Sequence, residues 1–170
     1  ELNLGADYVL SPNFQLGLLL EFMGKTPADV NDYSLGNQYT WNEYAIGGAG
    51  QANLMFPLGG GTNFILHGEG GYYSLVATHV DVSGSDDGDV TLDASNAGWA
   101  LAAGLEFIIG ANKSWALDVE LGYRSLTFTP LTQGGTYNGF PQSGTLTNSG
   151  GGNTQLDFSG PRLSATARLF

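Results

Sequence analysis

The ionisable side chains of this chain are few, and most stand at alternate positions between apolar or small residues. The 170 residues include 16 Asp and Glu, 5 Lys and Arg and 2 His. One set shares the same face of the predicted strands: Asp7, Glu21, Glu43, His67, Glu69, Glu106, Asp118, Glu120, Arg124, Arg162 and Arg168. Charges held away from water need paired or hydrogen-bonded partners. The pattern therefore predicts a charge network between strands, with acids in excess of bases.

Two kinds of chemistry would suit such a network. The first is a packed set of ion pairs and waters that fills the space enclosed by the strands. The second is an acid-lined path for cations or protons, because unpaired acids can hold a cation or a proton. We favour the packed network, since a wall of about eight strands leaves room only for side chains.

An acidic segment, 79–93, is the candidate for metal binding. Carboxylates are ligands that calcium prefers, and Asp81, Asp86, Asp87 and Asp89 lie close together here. Their spacing does not match the calcium-binding loop in which alternate acids precede a glycine. A solvated surface loop is the favoured interpretation, and these four residues are only weak metal candidates.

A hydrolase would need a histidine beside a nucleophile near the rim of the strands. The two histidines are His67 and His79, and His79 with Asp81 forms the one candidate pair. No serine is placed to complete it, and the absence of cysteine excludes disulfides, thiol chemistry and Cys metal sites. We therefore expect no enzymatic activity and no cofactor, with a rim-located hydrolase as the lesser alternative.

Strict alternation of apolar with polar or small residues is the main structural pattern. The predicted strands cover residues 1–10, 14–22, 39–56, 64–72, 99–109, 115–124 and 153–170. Three short turns, 11–13, 57–61 and 110–114, alternate with three long loops, 24–38, 79–93 and 128–152. The sequence predicts an up-and-down antiparallel sheet in a single domain, 1–170.

Composition favours a sheet whose apolar face meets lipid. Charged residues are 12%, about half the share in soluble proteins. Mean hydropathy is -0.05, and no run approaches the roughly 18 apolar residues of a membrane helix, so a membrane would be crossed by strands closed into a barrel. A soluble barrel with its apolar face inside is the alternative, but its other face would be polar. Here that face is rich in Gly and Ala, which predicts an all-β transmembrane antiparallel up-and-down β-barrel.

Aromatic residues gather at the ends of the predicted strands, as in the interfacial girdles of membrane barrels. One set lies beside the short turns: Phe14, Phe56, Phe64, Phe107 and Trp115. The other lies toward the long loops: Phe22, Tyr44, Tyr72, Trp99 and Tyr123. In barrels of this kind the short turns are periplasmic and the long loops extracellular. The sequence therefore predicts two girdles around an apolar band.

Seven strands are readable, whereas single-chain bacterial barrels have an even number of strands. We expect eight strands in the wall. Three explanations are open: a strand that precedes Glu1, an irregular strand within 127–153, or a strand supplied by a partner chain. The first is favoured, and the last is ranked lowest.

The last strand can face either way. One frame directs Leu163, Ala165, Ala167 and Leu169 outward and places Arg162 and Arg168 inside. The other frame directs Phe170 and Arg168 outward. An arginine that faces lipid near the membrane interface costs only about 0–1 kcal/mol, so this frame is also open. We favour the frame with both arginines inside.

Glycines interrupt the apolar face of two neighbouring strands at Gly48, Gly50, Gly68 and Gly70. A flat glycine patch would let a lipid chain or another protein approach closely, as small residues do between membrane helices. Strand curvature or room for aromatic neighbours is the favoured explanation. A protein partner at this patch is a weak prediction.

Five short segments recur with the same alternating character: 4–8 (LGADY), 13–17 (NFQLG), 103–107 (AGLEF), 120–124 (ELGYR) and 167–170 (ARLF). Together they make most of the chain outside the loops resemble the small outer-membrane β-barrel family that includes the N-terminal domain of outer membrane protein A. The resemblance implies a bacterial outer-membrane location, contact with lipid and lipopolysaccharide, and a terminal aromatic read by the barrel-assembly machinery. Phe170 matches that aromatic, whereas Arg168 stands where the family usually has an apolar residue.

The net charge of -11 disfavours nucleic acid as a partner. The expected function is a structural or adhesive one, carried by a barrel with a plugged polar lumen and long extracellular loops. A narrow cation-permeable channel is the alternative.

Overall fold

The structure, a computed structural model, describes residues 2–32, 37–81, 90–109, 114–137, 140–141, 143–147 and 151–169. Strands account for most of this part of the chain. No helix among the described residues is long and apolar enough to cross a membrane.

The described residues form twelve strands, of which seven are long and five are short. In chain order they are β1 (Leu2–Ser11), β2 (Phe14–Asp32), β3 (Asn37–Gly59), β4 (Thr62–Asp81), β5 (Val90–Ile109), β6 (Trp115–Ser125), β7 (Thr127–Phe128), β8 (Thr132–Tyr137), β9 (Phe140–Pro141), β10 (Gly144–Thr145), β11 (Leu156–Asp157) and β12 (Gly160–Leu169).

The seven long strands form one antiparallel up-and-down sheet in the order β1-β2-β3-β4-β5-β6-β12. Each long strand pairs with the next long strand along the chain, as in Leu4 with Leu20 and Leu163 with Leu121. Strict alternation produces this arrangement because it gives every strand one apolar and one polar face, and a shift of one residue would exchange them. The all-β antiparallel sheet and its seven readable strands are confirmed.

Closure of the sheet is not observed. No described residue of β1 pairs with β12, so each of these strands has one edge without a ladder partner in the described part of the chain. The described residues of 127–153, where one of the three explanations placed an irregular strand, do not fill this place. The short strands there pair elsewhere: β8 with β5, β9 and β10 with β8, and β7 with β11.

The predicted loop 24–38 is largely a continuation of two strands, and the described residues of the predicted loop 79–93 also belong to strands. Pairing of β2 with β3 continues to Asp32 with Asn37, through the predicted loop 24–38. Pairing of β3 with β4 continues to Tyr39 with Asp81. The sequence did not reveal the extension into 24–38 because polar residues predominate there, so the alternation of apolar residues ends before the strands do.

The sheet is apolar on the outside and closely packed on the inside. Leu18 is 73% exposed and Leu121 66%, whereas Glu21 and Asp118 are each 1% exposed. Small inward residues make this packing possible, because a Cβ on Gly17 would overlap the carboxylate of Asp7. Soluble proteins bury most of their large apolar side chains and expose their charged ones. This sheet exposes leucines and buries carboxylates, which is the opposite arrangement.

Candidate functional site: the charge network inside the sheet

The sheet curls strongly enough for side chains of well-separated strands to meet across its inner face. Arg124 on β6 hydrogen-bonds through Nη2 to Oε1 of Glu21 on β2, and β3, β4 and β5 lie between these two strands in the sheet. The same nitrogen donates to Oε1 of Glu69 on β4 at 2.9 Å. Such contacts require the inner face to be concave.

A first group of charges, the upper network, is built around the two glutamates Glu21 and Glu69. Arg162 on β12 donates through Nη1 to Oε1 of Glu69 at 2.6 Å, and its Nη2 lies 3.9 Å from Oε1 of Glu21. The hydroxyl of Tyr73 donates to Glu21. Two arginines thus face two carboxylates, and the buried charges of the upper network compensate one another.

His67 joins the upper network through its two ring nitrogens. Nε2 lies 3.1 Å from Oε2 of Glu69, and Nδ1 lies 2.7 Å from Oδ1 of Asn53. Both ring nitrogens are therefore engaged, which is the arrangement expected of a structural histidine. A catalytic base would need one nitrogen directed at a substrate.

A second group, the lower network, lies nearer the short turns and centres on Arg168. Its Nε lies 2.6 Å from Oδ2 of Asp118, and its Nη1 donates to Oε1 of Gln15 at 2.8 Å. The same Nη1 is 3.8 Å from a carboxylate oxygen of both Asp7 and Glu106. One guanidinium therefore serves three carboxylates.

Neutral amides complete part of the lower network. Gln51 donates to Oδ1 of Asp7 and Asn63 donates to Oε1 of Glu106, each at 2.6 Å. Oε2 of Glu106 and Oδ1 of Asp118 are buried without a hydrogen-bond partner among the described residues. Amides cannot neutralise charge, so this end of the interior keeps an excess of acid.

All the residues predicted for the charge network lie on the inner face. Glu43 is buried there toward the long loops, and Glu120 is buried between Asp118 and Arg124 along β6. Arg162 and Arg168 both point inward, and Leu163 between them is exposed, which is the favoured frame of the last strand. Sequence reasoning left out the polar partners Gln15, Asn63 and Tyr73, although all three share the inward parity of the charged residues on their strands.

An apolar cluster covers the upper network on the side of the long loops. It joins inward residues of the strands to residues that follow β6: Met23, Ala45, Tyr73, Leu75, Ala77, Leu92, Leu126, Phe128 and Leu131. Phe128 packs edge-on against Phe158 with ring centroids 5.5 Å apart. Part of the predicted loop 128–152 therefore folds inward and closes this end of the interior.

A cavity of about 780 Å³ opens between the free edges of β1 and β12. It is lined by residues of both edge strands, including Asp7 and Arg168, and by Gln51, His67 and Glu120 deeper inside. The cavity lies beside the charge network, so the network borders open space along this seam.

The predicted girdle residues lie on the outer face or at its margins. Neighbouring strands pair their aromatic rings: Phe22 stacks on Tyr44 at 5.8 Å, and Trp99 lies 6.4 Å from Tyr123. At the end of the short turns, Phe56 is directly opposite Phe64 with ring centroids 6.1 Å apart. The structure thus places aromatic pairs toward both ends of the apolar surface.

The glycines of the predicted patch lie on the outer face. Gly50 is directly opposite Gly70, and a Cβ on either residue would meet nothing within 4 Å. Gly68 borders Leu101, and Gly48 borders Leu20. The patch is a shallow part of the apolar surface, and its use by a partner stays a prediction.

Several candidate residues lie where the structure gives no side-chain description. Asp86, Asp87, Asp89 and Phe170 are outside the described residues, and His79 and Asp81 are placed only as backbone positions near the end of β4. Among the described residues, no group of three or more His, Asp or Glu side chains is arranged to hold a metal ion. Metal binding at 79–93 therefore stays a weak prediction.

Comparison with protein-family models, curated proteins and solved structures finds no match to this chain.

Proposed function

We propose that this chain is an integral β-barrel protein of the bacterial outer membrane, with a plugged polar lumen and a structural or adhesive role. The observation that carries the proposal is the reversed polarity of the sheet. Its convex face exposes a continuous apolar surface, and its concave face buries paired charges. Water would penalise such a surface, whereas lipid would stabilise it.

The dimensions of the apolar surface fit a bilayer. On β2 the two predicted girdles are represented by Phe14 and Phe22, eight residues apart, and Trp115 and Tyr123 have the same spacing on β6. Eight residues at about 3.3 Å each cover about 26 Å along a strand. Strands tilted by roughly 40° then cover about 20 Å of membrane thickness, close to the apolar band of outer-membrane barrels.

A structural or adhesive role follows from how the interior is filled. The upper network crosses the lumen, and the apolar cluster around Phe128 covers it. Beyond Phe22, the β2–β3 hairpin continues for ten paired or bulged residues to Asp32, about 30 Å at 3.3 Å per residue. A blocked lumen beneath a projecting hairpin favours binding at the outer surface over transport through the wall.

Membrane fractionation tests this proposal. Membranes from cells that produce the protein are washed with alkaline carbonate and separated by density. We expect the protein to stay in the outer-membrane fraction after the wash. Folded protein recovered in the soluble fraction would contradict the proposal, because the exposed leucines would then have to be tolerated by water.

A narrow cation-permeable channel is the second candidate, and the acid excess of the lower network favours it. Asp7, Glu106 and Asp118 share the single guanidinium of Arg168. Such a wall would attract cations if a continuous path existed. Single-channel recording in planar bilayers separates the candidates, because a plugged barrel gives no stable openings.

A further inference from the structure

We propose that the lower network, together with Glu120, is a binding site for a small linear polyamine. Two observations lead to this inference: a buried carboxylate that has no partner, and an excess of acid beside a cavity of molecular size. The inference goes beyond the proposed function and does not require the membrane location.

Glu120 is the carboxylate without a partner. It is 7% exposed, and it forms no ion pair or hydrogen bond with another described residue. It lies opposite Gly104 on β5 and opposite Ser164 on β12, and its inward neighbours along β6 are Asp118 and Gly122. None of these four residues is a base. The buried charge of Glu120 is therefore not compensated by its neighbours in the sheet.

The side chain of Glu120 borders open space. A Cβ on Gly104 would lie 2.8 Å from Cγ of Glu120, so the absence of a side chain on Gly104 lets the stem of Glu120 lie against β5. Glu120 lines the cavity of about 780 Å³, together with Asp7 and Ser164. Sites for small molecules have volumes of about 300–1,000 Å³. Glu120 is thus an open acceptor on the wall of a space that can hold a small molecule.

The charge around Glu120 is strongly unbalanced. Asp118 lies close enough to Glu106, Glu120 and Asp7 for their charges to interact. Arg168 is the base of this region, and its contacts are with Asp118, Asp7 and Glu106, not with Glu120. Four carboxylates and one guanidinium leave a formal excess of three negative charges.

Two further basic side chains line the cavity, but both serve the upper network. Arg162 donates to Glu69 at 2.6 Å. His67 engages Glu69 with one ring nitrogen and Asn53 with the other. These side chains are held by the carboxylate and the amide that they contact, so the excess of acid near Glu120 persists.

An ammonium group fits this site better than a metal ion. In the part of the chain that the structure describes, no three His, Asp or Glu side chains are arranged to hold a metal. An ammonium group instead carries three donors that can reach separate acceptors. Glu120 and Asp7 offer such acceptors on the cavity wall. Glu106 and Asp118 are each 1% exposed, so they attract the ligand through their charge and not by contact.

The charge and shape of the ligand follow from the same wall. A polyamine with three ammonium groups matches the formal excess of three negative charges. Its methylene segments can pack on apolar residues of the wall, such as Leu19 and Val9. A linear polyamine therefore satisfies both the polar and the apolar parts of the cavity.

Calorimetric titration of the purified full-length native protein with spermidine tests this inference. Glu120→Gln and Glu43→Gln remove the same charge from two buried glutamates, and Glu43 is the control because it is not among the residues that line the cavity. Ser164→Leu keeps every charge and fills the space opposite Glu120. A parallel titration uses Mg²⁺ at the same ionic strength.

We expect one spermidine per chain. Glu120→Gln and Ser164→Leu should each weaken binding by about 10- to 100-fold, the effect of losing a hydrogen bond to a charged group. Glu43→Gln should bind as the native protein does, and Mg²⁺ should not displace spermidine. No saturable binding, or unchanged binding by Glu120→Gln or Ser164→Leu, would overturn the inference. An equal loss in Glu43→Gln, or displacement by Mg²⁺, would also overturn it, because the chain would then attract cations in general.

Thermal unfolding gives a second measurement on the same variants. Glu120→Gln should raise the unfolding temperature without ligand, because it removes a buried charge that has no partner. Spermidine should raise the unfolding temperature of the native protein but not that of Glu120→Gln. A lower unfolding temperature of Glu120→Gln without ligand would overturn the inference, since Glu120 would then be compensated within the chain. Neither result depends on where the protein fractionates, so the proposed membrane location is tested separately.

Discussion

Gly47 lies beneath the ring of Tyr73, so close that a Cβ at position 47 would overlap the ring. The two residues are directly opposite each other on β3 and β4. This contact lays the phenol along the inner face and directs its hydroxyl to Glu21 in the upper network. The absence of a side chain at Gly47 therefore makes room for the ring of Tyr73, one of the largest buried side chains.

Gly47→Ala is expected to destabilise the protein by about 1–3 kcal/mol, because the added methyl displaces the Tyr73 ring in a packed interior. Gly50→Ala is the matched control, since its Cβ would point into open space on the outer face of the same strand. Alanine is favoured over glycine within strands, so the control should be neutral or gain up to about 1 kcal/mol. Urea unfolding from lipid vesicles measures both, and equal effects would contradict the packing argument.

Arg124→Met is expected to cost about 3–5 kcal/mol, because it leaves Glu21 and Glu69 buried with only Arg162 to compensate them. Adding Glu21→Gln removes the one carboxylate charge that is then in excess and should recover part of the loss. A double-mutant cycle of unfolding free energies gives the coupling between the two side chains. Additive losses would show that Arg124 and Glu21 do not form a functional pair in the protein.

Leu18→Arg tests the apolar band at its middle. Leu18 lies midway between Phe14 and Phe22 on the outer face, and an arginine near the bilayer midplane costs about 2–4 kcal/mol. Leu58→Arg is the control. Leu58 is also an exposed leucine, but it lies at the short turn and therefore outside the middle of the apolar band. The folded fraction inserted into vesicles should fall for Leu18→Arg alone. A similar loss in both variants would argue against a lipid-facing band.

The strands and their faces could be predicted from the sequence because alternation acts locally and fixes which face each side chain takes. The partners within the interior could not. Arg124 meets Glu21 only because the sheet curls, and curvature depends on the small residues of all strands together. The inward fold of Leu126, Phe128 and Leu131 was missed for a related reason: their segment has the composition of a loop, and their neighbours are distant in the chain.

In the proposed barrel two layers block the lumen, and this gives a prediction for conductance. The apolar cluster holds Phe128, which is fully buried, and the ion pairs of Arg124 lie beneath it. Phe128→Ala alone should cost about 3–5 kcal/mol and leave the lumen closed, because the charged layer remains.

Phe128→Ala combined with Arg124→Ala should open a path for cations, since removal of the guanidinium leaves two carboxylates, Glu21 and Glu69, against the single charge of Arg162. Planar-bilayer recordings of the native protein, both single variants and the double variant measure this directly. Cation-selective openings confined to the double variant are the expected result. Stable openings of the native protein would instead favour the channel over the plugged barrel, and a silent double variant would show that a further layer blocks the lumen.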